Sequence, residues 1–123
     1  MANENRQAKR IMALMPEEEP VFVRADGAQY SAKLVNISPG GALISVLDCD
    51  LEHGIGNVCG LFFTDGERMF GVKGEVLRKT GRYAAFKFVE VTAGKADEIA
   101  TKIDRMDRVM VREIAKNYTN SAN

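Results

Sequence analysis

A chain of 123 residues, 46% hydrophobic and 28% charged, has the ordinary globular mixture and the size of one compact domain with a modest core. Lys plus Arg equal Asp plus Glu at 17 each, and this balance argues against bulk nucleic-acid binding, which relies on a basic face, so no DNA or RNA partner is expected. No stretch approaches the roughly 20 apolar residues of a membrane span, and the N-terminus MANENRQAKRIMALM lacks the apolar core and small-residue cleavage site of a signal peptide; a cytoplasmic location is the expectation.

Residues 1–19 read as a flexible N-terminal arm and linker. Arg6, Lys9 and Arg10 are basic, an apolar patch covers residues 11–15, and Glu17, Glu18 and Glu19 follow Pro16. The patch is expected to pack on the domain, since isolated apolar patches usually find their own core. The acidic run is expected to be a solvated linker.

Strands are expected at residues 21–24, 30–37, 42–47, 58–63, 69–78 and 83–89. The first ends at the turn signal Asp26-Gly27. The second alternates roughly at period two around Ala32 and Leu34. Ser38-Pro39-Gly40-Gly41 breaks it, and the continuous apolar run that follows suits a mostly buried strand. Residues 48–56 form a loop rich in turn formers, and Thr80-Gly81 joins the last two strands. Six short strands with frequent turns point to a mainly β barrel or sandwich over residues 20–92.

The tail, residues 93–123, changes period. Ile99, Ile103, Met106, Met110, Ile114 and Tyr118 form one helical stripe over about 95–118, with Lys102 and Arg105 among the charged residues of the remaining face. The stripe has two possible covers. One is the barrel; the other is a second copy's helix, giving a homodimer through the C-terminal helix.

Two short motifs carry chemistry. Arg6-Gln7-Ala8-Lys9-Arg10 is an RxxxR, and Asn36-Ile37-Ser38-Pro39-Gly40-Gly41 is an NxSxxG. Alone, the first reads as a solvated basic arm and the second as a turn between strands. In this order, ahead of a six-strand pattern with a C-terminal helix, they resemble the PilZ family. The late hairpin, with Gly74-Glu75-Val76 and residues 81–88, extends the resemblance over most of the chain. It implies a six-stranded antiparallel barrel and a receptor for cyclic di-GMP. Its ligand-binding residues would be Arg6, Arg10, Asn36, Ser38, Gly40 and Gly41.

The residue types suit that ligand. An Arg fork matches guanine O6 and N7 bidentately, stacks on the base and neutralises phosphate. Asn36 and Ser38 lie two apart, so they share a strand face, and both can donate and accept. Gly41, with Gly40, would let backbone approach closely. The resemblance places Asn36, Ser38 and Gly41 around one guanine and makes Arg6 and Arg10 clamps on an arm that closes on binding. Glu17, Glu18 and Glu19 would compete for those arginines through exposed pairs worth under about 1 kcal/mol each.

Catalysis has little support. His53 is the lone histidine, no Ser–His–Asp or Cys–His set can be assembled, and there is no P-loop or GxGxxG. Cys49 and Cys59 match neither a zinc pair nor CxxC and read as reduced thiols, so no metal or cofactor is expected beyond the ligand cyclic di-GMP. The expectation is a non-enzymatic receptor that signals to an unidentified downstream protein in motility, biofilm or virulence control. The alternative within the fold is a PilZ-like protein adaptor that does not bind the nucleotide.

Overall fold

The computed structural model describes residues 11–12, 19–46 and 54–121, with side chains described at 19–46 and 54–108. Arg6, Arg10, Glu17, Glu18, Cys49 and His53 lie outside the described residues.

Among the described residues seven strands occur in chain order, β1 (Ile11–Met12), β2 (Pro20–Ala25), β3 (Ala28–Ser38), β4 (Gly41–Val46), β5 (Val58–Asp65), β6 (Arg68–Thr80) and β7 (Tyr83–Val89), followed by a helix, α1 (Ala93–Ser121). All pairings are antiparallel, in the order β3-β2-β5-β6-β7-β4, and β4 pairs back with β3. The sheet is therefore a closed six-stranded barrel, which leaves its six strands no open edge. The expected strands are present; β2 and β5 are two residues longer than their patterns suggested, β3 and β6 three, and β4 and β7 no longer. The hairpin between β2 and β3 turns at Asp26 and Gly27, with φ of 51° and 79°. Positive φ at both central residues matches the twist of the flanking strands.

Alternation decides what is inside. Val21, Val23 and Ala25 of β2, Ala42, Ile44 and Val46 of β4, and Leu61 and Phe63 of β5 fill the barrel. Phe63 lies 5.6 Å from Phe70 and meets Phe88 edge-on at 5.9 Å, the tilted and T-shaped arrangements that ring quadrupoles favour. Cys59 is a free, buried thiol; desolvation, with a smaller push from Asp26, raises its pKa.

Two bulges interrupt the ladders. One residue, Val35, is extra between Leu34 and Asn36, and another, Leu77, between Val76 and Arg78. A bulge bends its strand and reverses the inside–outside phase beyond it. Ala32 and Leu34 point inward. Beyond Val35 it is Ile37 that enters the core, while Asn36 and Ser38 turn to the opposite side, where Asn36 is half-buried and Ser38 is buried. The same reversal after Val76 sends Arg78 outward.

Strand β3 is paired along both edges. On one edge it meets β4; on the other it meets β2 as far as Lys33 and then β1, with Met12 opposite Asn36 and Ile11 opposite Ile37. The apolar patch that follows Arg10 thus begins as a strand laid on the barrel.

Helix α1 starts two residues before its expected position. Thr92 accepts a hydrogen bond from the Lys95 amide through Oγ1, 3.2 Å, an N-cap that satisfies one of the helix's orphan donors. The helix is about 43 Å long and touches β6 and β1. Ile99 and Met106 join the barrel core, with Ile103 packed against it, so the first half of the stripe is covered by the barrel. Met110, Ile114 and Tyr118 have no described side chains. Among the described residues no helix is long and apolar enough to cross a membrane.

Two charged residues of α1, Lys102 and Arg105, depart from expectation. Lys102 is 1% exposed, and its Nζ donates to Glu19. Arg105 donates to Glu19 at 3.1 Å and through Nε to Asp65 at 2.6 Å. Glu19, expected in a solvated linker, has a side chain only 13% exposed. The physical reason is that Lys102 stands one turn from both Ile99 and Met106, so burying them carries it inward. A buried ammonium requires a charge partner, and Glu19 is that partner. Desolvation lowers the Lys102 pKa, an effect the Glu19 contact partly offsets.

Gly41 sits where β4 passes close against β7. A Cβ there would stand 2.2 Å from the Phe86 carbonyl oxygen, whereas one at Gly40 meets nothing within 4 Å. Gly41→Ala is expected to cost about 1–3 kcal/mol, and Gly40→Ala about 0.5 kcal/mol or less, measured by urea denaturation. Glu19→Ala, which strands the buried Lys102, should cost about 3–5 kcal/mol, while Lys102→Met should be close to neutral or stabilising. Because the folded protein lowers the Lys102 pKa, the unfolded chain holds this proton more tightly. Lys102 therefore adds stability as pH rises from its folded value towards the ordinary 10.5. Lys102→Met should lack that alkaline increment in parallel melts.

Candidate functional site

The register across β3, β4, β7 and β6 builds a grid on the outer face of the barrel. One row reads Ser38, Gly41, Lys87, Glu75. The next reads Asn36, Leu43, Ala85, Arg78, and a third Lys33, Ser45, Tyr83, Thr80. At about 4.8 Å between strands, each row spans roughly 14 Å. Both bulges border this grid, so Asn36 at one side and Arg78 at the other face outward across Leu43 and Ala85.

The grid has a small apolar floor and polar margins. Leu43, Ala85, Arg78, Thr80 and Tyr83 line a shallow groove of about 150 Å³. Arg78, Lys87 and Tyr83 are exposed, Tyr83 by 49%. Neither Arg78 nor Lys87 enters an ion pair among the described residues. A flat floor flanked by unpaired cations suits a planar, anionic ligand.

The NxSxxG residues lie at one margin. Asn36 is half-buried beside Leu43. Ser38 is buried, and its hydroxyl donates to the Gly41 carbonyl at 3.4 Å, a long bond. Gly40 accepts from the Phe88 amide at 2.8 Å, so the Pro39-Gly40-Gly41 turn is tied to β7. Gly41 owes its missing side chain to the close approach of Phe86. The structure thus brings Asn36, Ser38, Gly40 and Gly41 to one corner of one face. Arg6 and Arg10 lie outside the described residues. Ile11, which follows Arg10 in the chain, pairs with Ile37, between Asn36 and Ser38.

Sequence reasoning missed Leu43, Arg78, Tyr83 and Ala85. They come from three strands, and only the cross-strand register unites them with Asn36. Among the described residues no group of three or more His, Cys, Asp or Glu could hold a metal ion.

Comparison with known proteins fits this geometry. The PilZ domain of YcgR from Escherichia coli, solved with c-di-GMP, matches with a TM-score of 0.75 at 19% identity, over 90% of this chain and 97% of that one. Escherichia coli YcgR in complex with c-di-GMP matches at 0.68 and 22% identity, over 92% of this chain and 50% of that one. The Bacillus subtilis inhibitor of motility MotI (DgrA) matches at 0.68 and 20% identity, over 87% and 52%. This chain therefore spans about half the length of the last two. At such identities the likeness shows the fold. A search of curated proteins found no match. The sequence itself matches the description of the PilZ domain over residues 4–105, most of its length, and the chain belongs to the PilZ family.

Proposed function

We propose that the protein is a receptor for cyclic di-GMP that binds on the outer face of β3, β4 and β7. The observation that carries this reading is the row Asn36, Leu43, Ala85, Arg78 beside Ser38, next to the strand that follows RxxxR. Guanine would lie on Leu43 and Ala85. Its polar edge would meet the Asn36 amide and the Ser38 hydroxyl, which would exchange its long bond to Gly41 for a ligand acceptor. Arg6 and Arg10 would reach over from the arm, one fork to guanine O6 and N7 and both charges to phosphate. Arg78 and Lys87 would add cations at the far margin. The two solved YcgR structures with c-di-GMP and the RxxxR and NxSxxG motifs support the ligand assignment.

The residues in hand bind and orient; none supplies a nucleophile–base pair, and a signalling module fits them better than a catalyst. Ligand would shift the population of arm conformations and so present a changed surface to a downstream protein. The C-terminal half of α1 is the proposed contact for that protein or for a second copy. A cytoplasmic role in motility, suggested by the solved inhibitor of motility, is part of the same proposal.

Isothermal calorimetry with cyclic di-GMP tests the reading. Heat of binding at micromolar protein is expected; its absence from a folded sample would favour the adaptor role instead. Arg6→Ala and Arg10→Ala should each cost about 1.5–3 kcal/mol of binding, the range for a hydrogen bond to a charged group. Arg78→Ala should weaken binding several-fold with the melting temperature unchanged, because Arg78 is exposed; equal affinity would remove the far margin from the site.

A further inference from the structure

The linker between RxxxR and the barrel is held at both ends. At one end Met12 pairs with Asn36. At the other, the Glu19 carbonyl accepts from the Leu34 amide at 2.9 Å. The Glu19 carboxylate bonds Lys102 and Arg105 on α1, and Arg105 bonds Asp65 on the barrel. Helix α1 also touches β1 itself. One carboxylate thus joins the root of the arm, the C-terminal helix and the end of β5.

These contacts differ from the surface pairs elsewhere on the molecule. Lys73 with Glu90 and Arg108 with Asp104 are more than half exposed, where a pair contributes little. Lys102 is 1% exposed and Glu19 13%, so separating them would leave an uncompensated buried charge. Helix docking and the position of Glu19 are consequently coupled: with Lys102 buried, moving Glu19 away destabilises the docked helix.

We propose that Glu19 is a positioning residue for the arm, making docking of the C-terminal helix and capture of cyclic di-GMP mutually stabilising. The inference rests on the receptor reading above. With α1 docked, Glu19 fixes where the linker joins the barrel and α1 backs β1, so the chain that continues into Arg10 starts beside Asn36 and Ser38. Part of the ordering needed for binding is then complete before ligand arrives. Linkage makes the effect reciprocal: bound ligand must tighten the helix by the factor by which the docked helix tightens ligand. The acidic linker was expected to draw the arginines away. Glu19 instead has cationic partners of its own on α1, which reverses the expected sign of its effect.

The test uses the full chain, calorimetry with cyclic di-GMP, and amide hydrogen exchange over residues 99–108. Glu19→Gln should weaken binding by roughly 5- to 30-fold, within the usual range of coupling between sites. In the wild type, ligand should slow exchange over 99–108; in Glu19→Gln it should not. Should Glu19→Gln fold poorly, Glu19→Gln/Lys102→Met removes both charges and keeps the helix packed, and it should bind as weakly as the single variant. Lys73→Ala, which breaks an exposed pair away from the site, should bind as the wild type. A double variant that regains full affinity would make Glu19 merely a stabiliser of the fold and overturn the proposal. Tighter binding by Glu19→Gln would overturn it in favour of competition for the arginines. Wild-type binding with unchanged affinity in Glu19→Gln sinks the coupling alone, whereas no binding by the folded wild type sinks the receptor reading and the coupling with it.

Discussion

Closure of the sheet through β3 is the constraint on which the rest depends. This strand hydrogen-bonds β4 along one edge and β2 and β1 along the other. A strand shared in this way must curve, and Val35 supplies the bend as a bulge. The phase reversal that comes with the bend takes Asn36 and Ser38 out of the core and puts Ile37 into it. The polar corner of the site is thus a consequence of closing the barrel. The second bulge, at Leu77, performs the same service for Arg78 on the opposite margin.

Rigidity is distributed accordingly. The site's floor belongs to central strands of a closed barrel whose core includes Leu34, Ile37, Ile44 and Phe86, each at most 2% exposed. Gly41 fits against the Phe86 carbonyl, and Gly40 bonds β7, so the turn of NxSxxG has little freedom. In the proposed receptor, a planar ligand would meet a preformed surface on this side.

Much was legible in the sequence, and the gaps have a common cause. The two motifs, the six strands and the helix announce themselves by local pattern: alternation, turn chemistry and a stripe of period 3.6. Val35 and Leu77 carry no local mark of a bulge, since each is an ordinary strand residue whose displacement is set by partners elsewhere in the chain. Leu43, Ala85 and Arg78 read as filler on separate strands until register sets them in one row with Asn36. Lys102 did carry a signal: it lies three residues after Ile99 and four before Met106, on the apolar stripe. Composition favours a solvated lysine, and its partner Glu19 is 83 residues away in sequence.

The sequence by itself determined the element order, the family-like pairing of RxxxR with NxSxxG, and the charge balance that argues against a nucleic-acid face, because each depends on residue type or on spacing within a short window. Only the tertiary structure decided which residues face outward beyond the bulges, which strands contribute a common floor, and that an acidic linker residue is bonded to the C-terminal helix. Those outcomes depend on closure of the sheet and on burial of unlike charges together, and both join residues that are remote along the chain.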